Sequence, residues 1–178
     1  MPSKSNIYNY RPECGDGSHG GSRFVEELCD FLGPEGLTLD CGSGSGYKTI
    51  FIISKGINVV SIDIDILSLR NLAKDRPGSI ICGDVQHLPF KDNIFDSIMC
   101  SEVLEHLPDP EMCINEIYRV TKKNGVGVFT TPVFNLNYKI LVKQRTPLQA
   151  AGHVRAVCRH SKSNKFICLY ASFSSGDP

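Results

Sequence analysis

The chain has 178 residues, 41% of them hydrophobic, which is enough for one sizeable core and too few for two full domains, so residues 1–178 are expected to form one domain. Its 19 basic and 19 acidic residues cancel, which argues against a nonspecific nucleic-acid or membrane-surface binder. No apolar run reaches bilayer length and the polar N-terminal stretch lacks an apolar signal core, so a cytoplasmic protein without a membrane segment is expected.

Taken in chain order, residues 1–21 read as a flexible N-terminal or lid segment. Residues 22–32 set Val25, Leu28, Cys29 and Leu32 on one helical face, and Gly33-Pro34 stops that helix. A strand then runs from Leu37 to Asp40 into the turn Cys41-Gly-Ser-Gly-Ser-Gly46. Residues 47–55 form a short apolar helix closed by Gly56, and Ile57 to Asp63 is a second strand. Asp65 is a candidate N-cap for a helix over 66–74. Residues 79–84 and 95–100 are predicted as the third and fourth strands. Asp109-Pro110 is a helix start, leading through Met112, Ile114, Ile117 and Val120 to a stop at Asn124-Gly125. Residues 126–131 are the fifth strand. This alternation implies α/β architecture: a Rossmann-like, doubly wound, mostly parallel sheet that binds ligands beyond the carboxyl ends of its strands. Asp40, Asp63, Asp84 and Ser101 all fall at those ends.

A strand ending in an acid, three alternating glycines and a second strand ending in another acid suit a nucleoside-like cofactor. Glycines at a strand-to-helix turn let a ligand approach the backbone, and the helix start favours anions. A phosphate reader therefore avoids a carboxylate in the loop mouth, yet Asp40 sits there and suits a ligand with positive charge. Gly42, Gly44 and Gly46 follow G-x-G-x-G, so the dinucleotide pattern G-x-G-x-x-G fails at Tyr47. The P-loop pattern fails too, because Tyr47 stands where its second glycine belongs.

Leu39-Asp-Cys-Gly-Ser-Gly-Ser-Gly46 with Asp63 resembles the first two motifs of class I S-adenosylmethionine (SAM)-dependent methyltransferases. Ser79-Ile-Ile-Cys-Gly-Asp84 with Val85 to Phe90, and Ser101-Glu-Val-Leu-Glu-His-Leu-Pro-Asp-Pro110, resemble the next two in order and spacing. SAM carries a sulfonium and an ammonium, which fits an acidic mouth. The resemblance implies that Asp40, Cys41 and the backbone of Gly42, Gly44 and Gly46 hold the methionine moiety. It also implies that Asp63 accepts bonds from the ribose hydroxyls and Asp84 meets the adenine amino group, with Ile64, Val85 and Ser101 completing the cofactor set. The product would be S-adenosyl-L-homocysteine and the acceptor a small molecule, such as a quinone precursor or a glycan.

Methyl transfer from a sulfonium is an in-line displacement with an activated leaving group, and positioning alone can supply about 7–11 kcal/mol of the barrier. A general base is needed only where the acceptor must lose a proton. His106, a few residues beyond the fourth strand, and His153, in Gly152-His-Val-Arg155, are the catalytic candidates. His19 fits a lid, and His87 fits a role in shaping the loop after Asp84. The eight cysteines contain no C-x-x-C pair and read as small apolar residues in a reducing compartment, without metal sites.

The resemblance covers about residues 20–155. The family pattern would continue with a helix and two strands, whereas residues 156–178 read as an atypical tail with one strand-like run, 165–172. The sheet is accordingly expected to lack its last strands and to expose an edge through which copies of the chain could associate. Two other readings stay open: a SAM-binding partner protein without activity, and an NAD-dependent oxidoreductase.

Overall fold

The computed structural model describes residues 28–32, 35–75 and 79–132, and the backbone of 153–160 and 165–172. Seven strands form one sheet: β1 Leu37–Cys41, β2 Asn58–Asp63, β3 Ser79–Cys82, β4 Phe95–Ser101, β5 Thr121–Pro132, β6 His153–His160 and β7 Lys165–Ser172. Their order is β3-β2-β1-β4-β5-β7-β6. The first five are parallel neighbours, and β7 lies antiparallel between β5 and β6. Among the described residues, the helices with both ends defined are α1 Tyr47–Ser54, α2 Ile66–Asp75 and α3 Pro110–Val120, with a 3-10 turn at Leu104–His106.

The sheet is therefore not short of its last strands. The run 165–172 is a strand as expected, but the segment around His153 forms another, and the two pair from His153↔Ser172 to His160↔Lys165. Because β7 also pairs with β5 from Val126↔Ser172 to Pro132↔Phe166, β5 is not an edge. The sheet instead ends at β3 and β6.

Two helix starts follow the capping rules. Asp109 Oδ1 accepts from the Met112 amide at 3.0 Å, with Pro110 at the first helical position. Asp65 accepts from the Leu67 and Ser68 amides and from the Ser68 hydroxyl. The end of α3 differs from expectation: the helix stops at Val120, where Thr121 turns extended and its hydroxyl donates to the Ile117 carbonyl at 2.6 Å. Asn124, at φ 64°, instead marks an irregularity within β5, whose register against β4 shifts between Phe95↔Thr121 and Ser97↔Val126.

Strand alternation divides the core between the two faces of the sheet. Leu39, Cys41, Ile62, Ile98, Cys100 and Phe129 pack with Cys113, Ile114 and Ile117 of α3. Met99 and Val128 pack on the other face with Leu28, Cys29, Leu32 and Ile52. Three of the four residues predicted for the first helical face are thus buried, and Val25 lies outside the described residues. The polar strand residues Asp40, Ser61, Ser101 and Thr130 fall on this second face, the α1 face.

The amino ends of the strands are locked by charge. Lys122 Nζ donates to both oxygens of Asp96, at 2.9 and 2.8 Å, and the Leu37 amide donates to Oδ2 at 2.8 Å. Arg119 clamps the β3–β4 loop, donating to the carbonyls of Leu88 and Phe90, to Asp92 and to Glu116, which itself accepts from the Leu88 amide. No helix among the described residues is long and apolar enough to cross a membrane.

Candidate cofactor site

The glycine loop leaves β1 under the end of β2. The amides of Gly42 and Ser43 both donate to the Ile62 carbonyl, at 2.8 and 3.1 Å, which folds the chain back toward α1. Gly42 holds φ 69° and a Cβ there would collide with Val103, so no other residue fits. Gly44 holds φ 53°, but a Cβ there would meet nothing within 4 Å: the loop faces open space at its tip. At Gly46 a Cβ would strike Leu72 of α2, so this glycine permits helix packing.

Asp63, at the end of β2, is the loop's anchor. Its Oδ2 accepts from the Gly44 amide at 2.7 Å and its Oδ1 from the Asp65 amide at 2.8 Å. Burial pushes its carboxyl above the ordinary value, against the pull of those amides. The carboxylate keeps acceptor capacity for a ligand hydroxyl. Asp40 is 2% exposed and accepts from the Thr49 hydroxyl of α1 at 2.6 Å. Burial raises its carboxyl to about 6, opposed by the Thr49 hydrogen bond and the Lys48 charge and reinforced by Asp63. A cation brought to this mouth would therefore relieve two desolvated carboxylates.

Asp84 follows β3, its Oδ1 accepting from the Gln86 amide at 2.8 Å and its Oδ2 lying 3.4 Å from His87 Nδ1. His87 itself is exposed. Gln86, buried, ties the loop to the start of α3 by accepting from the Asp109 amide at 3.0 Å. Val85 is a core residue and Ile64 is half-buried. Cys41 and Cys100 point into the α3-side core beside Cys113, and both thiols are held well above their ordinary value, Cys41 by burial and Cys100 by its hydrogen bond with Cys113 and then by burial. Cys41, Cys82, Cys100 and Cys113 form no disulfide, and no cluster of metal-ligating residues occurs among the described residues.

Beyond β4, Ser101 Oγ lies 2.6 Å from Thr130 Oγ1, which donates to Glu102 at 2.8 Å. Thr131 donates to Glu105 at 3.2 Å, and burial pushes that carboxyl up. His106 Nε2 is 3.8 Å from Glu105, and burial lowers its imidazole below the ordinary value despite the nearby Glu102 charge. The side chain of His153, and all of His19, lie outside the described residues.

Sequence reading brought together Asp40, the glycines and Asp63, but missed Ser43, Thr49, Thr130, Glu102 and Glu105. Thr49 left a signal: it lies three residues from Ile52 on the buried face of an apolar helix, where a hydroxyl needs a partner. Ser43 bears on what the loop could hold. Its hydroxyl is buried without a hydrogen-bond partner among the described residues, inside the loop that opens at Gly44. An orphan hydroxyl, an open loop tip and two raised carboxylates fit a cationic adenosyl ligand better than a pyrophosphate.

Comparison with known proteins agrees. Residues 39–129, half of the chain, match the methyltransferase domain family. Demethylmenaquinone methyltransferase of Corynebacterium urealyticum is 34% identical over 125 residues, 67% of this chain and 54% of that one. The chloroplastic 2-methyl-6-phytyl-1,4-hydroquinone methyltransferase of Arabidopsis thaliana is 31% identical over 113 residues, 61% of this chain and 33% of that one. The chain thus spans about half or less of these relatives' length. The structure of a SAM-dependent methyltransferase from Methanosarcina mazei superposes with a TM-score of 0.66 at 16% identity, over 84% of this chain and 98% of the other. The chain belongs to the methyltransferase domain family, that of class I SAM-dependent methyltransferases, whose cofactor is S-adenosyl-L-methionine.

Proposed function

We propose that this protein transfers the methyl group of SAM to a small-molecule acceptor carrying an ionisable hydroxyl, of the hydroquinone class. The observation that carries the cofactor half of the reading is the Gly44 amide bonded to Asp63 beside the buried Asp40, with Ser43 Oγ left open. Bound SAM supplies an activated methyl group and a neutral thioether leaving group. Asp63 holds the ribose hydroxyls, Asp84 the adenine amino group, and Asp40 with the loop 42–46 the methionine end. Ile64 and Val85 border the adenosine, with Cys41 contributing its backbone.

His106 is the group we assign to the acceptor's proton. Its half-buried ring has a lowered pKa, so it is neutral at pH 7 and able to take a proton, and the adjacent carboxylates favour the imidazolium that results. His153 is the second candidate on sequence grounds alone. The acceptor class rests on the names of the two relatives above, both of which act on quinone-type rings by those names. The reading of a SAM-binding partner without activity rested on missing strands, and the seven-stranded sheet removes that support.

The test is release of S-adenosylhomocysteine from SAM with a panel of alkylated hydroquinones, catechols and amines. Turnover confined to the phenolic members, and lost in His106→Ala without loss of SAM binding, is the expected result. Turnover with amines alone would contradict the acceptor class; unchanged turnover in His106→Ala would remove the base.

A further inference from the structure

The hydrogen-bond directions at the end of β4 can be fixed without seeing protons. Thr130 Oγ1 has one proton and gives it to Glu102 Oε1, because an ionised carboxylate has none to offer. The 2.6 Å contact between Ser101 Oγ and Thr130 Oγ1 must then be donated by Ser101. The Ser101 proton is thereby occupied, and only its lone pairs remain for anything else. At β1, likewise, Thr49 donates to Asp40, so the 3.2 Å contact between Ser61 and Thr49 is donated by Ser61. Two hydroxyl chains on the α1 face each end on a carboxylate.

The Ser101 chain also stands beside the cofactor loop. Cys41 and Cys100 are register partners, so Ser101 continues β4 alongside Gly42. Glu102 reaches back to Thr130 because it holds φ 59°, a left-handed conformation that a non-glycine residue rarely adopts, while its amide donates to the Thr130 carbonyl at 2.9 Å. The backbone departs from its ordinary range at the residue that sets the polarity of the chain.

We infer that Glu102 and Thr130 are positioning residues that make Ser101 Oγ a pure hydrogen-bond acceptor for the ammonium at the methionine end of SAM. The inference rests on the cofactor assignment above. An ammonium has three donors and no acceptor, so a hydroxyl with its proton already occupied is matched to it, and a hydroxyl free to donate is not. Glu102, one hydroxyl removed, adds negative charge without being buried against the ligand.

The test is a calorimetric comparison of two ligands. S-adenosylhomocysteine carries the amino-acid end, and 5′-methylthioadenosine lacks it. In Thr130→Val the dissociation constant for S-adenosylhomocysteine is expected to rise about tenfold, with 5′-methylthioadenosine within about twofold of wild type. Thr130→Ser, which keeps the hydroxyl, is expected to restore the first. Glu102→Gln, at a half-exposed side chain, can still accept from Thr130 but loses the charge, and is expected to lose several-fold on S-adenosylhomocysteine alone; it carries the comparison should Thr130→Val fail to fold. Equal weakening toward both ligands, or no change toward either, would overturn the inference and leave the cofactor assignment standing. Wild-type protein that binds neither ligand would overturn both.

Discussion

The two ends of the sheet treat their carboxylates in opposite ways. At the amino ends, Asp96 and Glu116 are half-buried, hydrogen-bonded to Lys122 and Arg119, and held below the ordinary carboxylate range by those cations. At the carboxyl ends, Asp40, Asp63 and Glu105 are more deeply buried, have no such cation bonded to them among the described residues, and are pushed above that range by desolvation. The first set stabilises the fold by itself. The second set costs stability and awaits donors from elsewhere, the signature of a site.

The largest break in this contrast is Asp63→Ala. If Asp63 holds the ribose as proposed, losing its carboxylate and the Gly44 tether is expected to weaken SAM binding roughly 100-fold, measured by calorimetry on a mutant whose far-ultraviolet dichroism is unchanged. Retained affinity in that folded mutant would remove Asp63 from the site.

Asp40→Asn separates charge from shape and is expected to act in two directions. SAM binding should weaken about tenfold, more than binding of an uncharged adenosine analogue, while the unliganded protein should become more stable at pH 7. The sign follows from a folded-state value of about 6 against an ordinary 3.8: the buried acid favours its protonated form, so ionising it opposes folding. At pH 7 the difference amounts to at most about 3 kcal/mol. As pH falls through 6 toward 4 the wild-type penalty fades, so urea melts of the two proteins should converge. SAM affinity of the wild type should fall over the same window, and that of Asp40→Asn less steeply.

The smallest effect is expected at the other end of the sheet. Lys122→Met breaks the Asp96 lock and should cost about 1 kcal/mol of stability, with no change in SAM affinity. Asp96 has a lowered value, so its contribution is present at neutral pH and disappears as pH falls below the ordinary carboxylate range, opposite in sign to Asp40. A Lys122→Met protein with weakened SAM binding would mean that the two ends are coupled.

Much of this was legible in the sequence because it is local. Glycines 42 to 46, the acids closing β1 and β2, and the caps at Asp65 and Asp109 are dictated by residues within a few positions of one another. What escaped depends on pairing across the fold. The β6 strand escaped notice because it is set only by antiparallel pairing with β7, which itself pairs with β5. Asn124-Gly125 looks like a helix stop, but Thr121 ends α3 earlier by bonding back to Ile117. Thr49 left only the sign that its hydroxyl needs a partner, and Thr130 left none, because a threonine's partner is fixed only when α1 and β5 dock beside β1 and β4.

The most direct test of the central claim is titration of the purified, monodisperse protein with SAM, S-adenosylhomocysteine and NAD by calorimetry. One-to-one binding of the first two and none of the third is the expected result. A well-folded protein that ignores SAM, or prefers NAD, would contradict the assignment of the raised carboxylates at the strand ends to an adenosyl-sulfonium site.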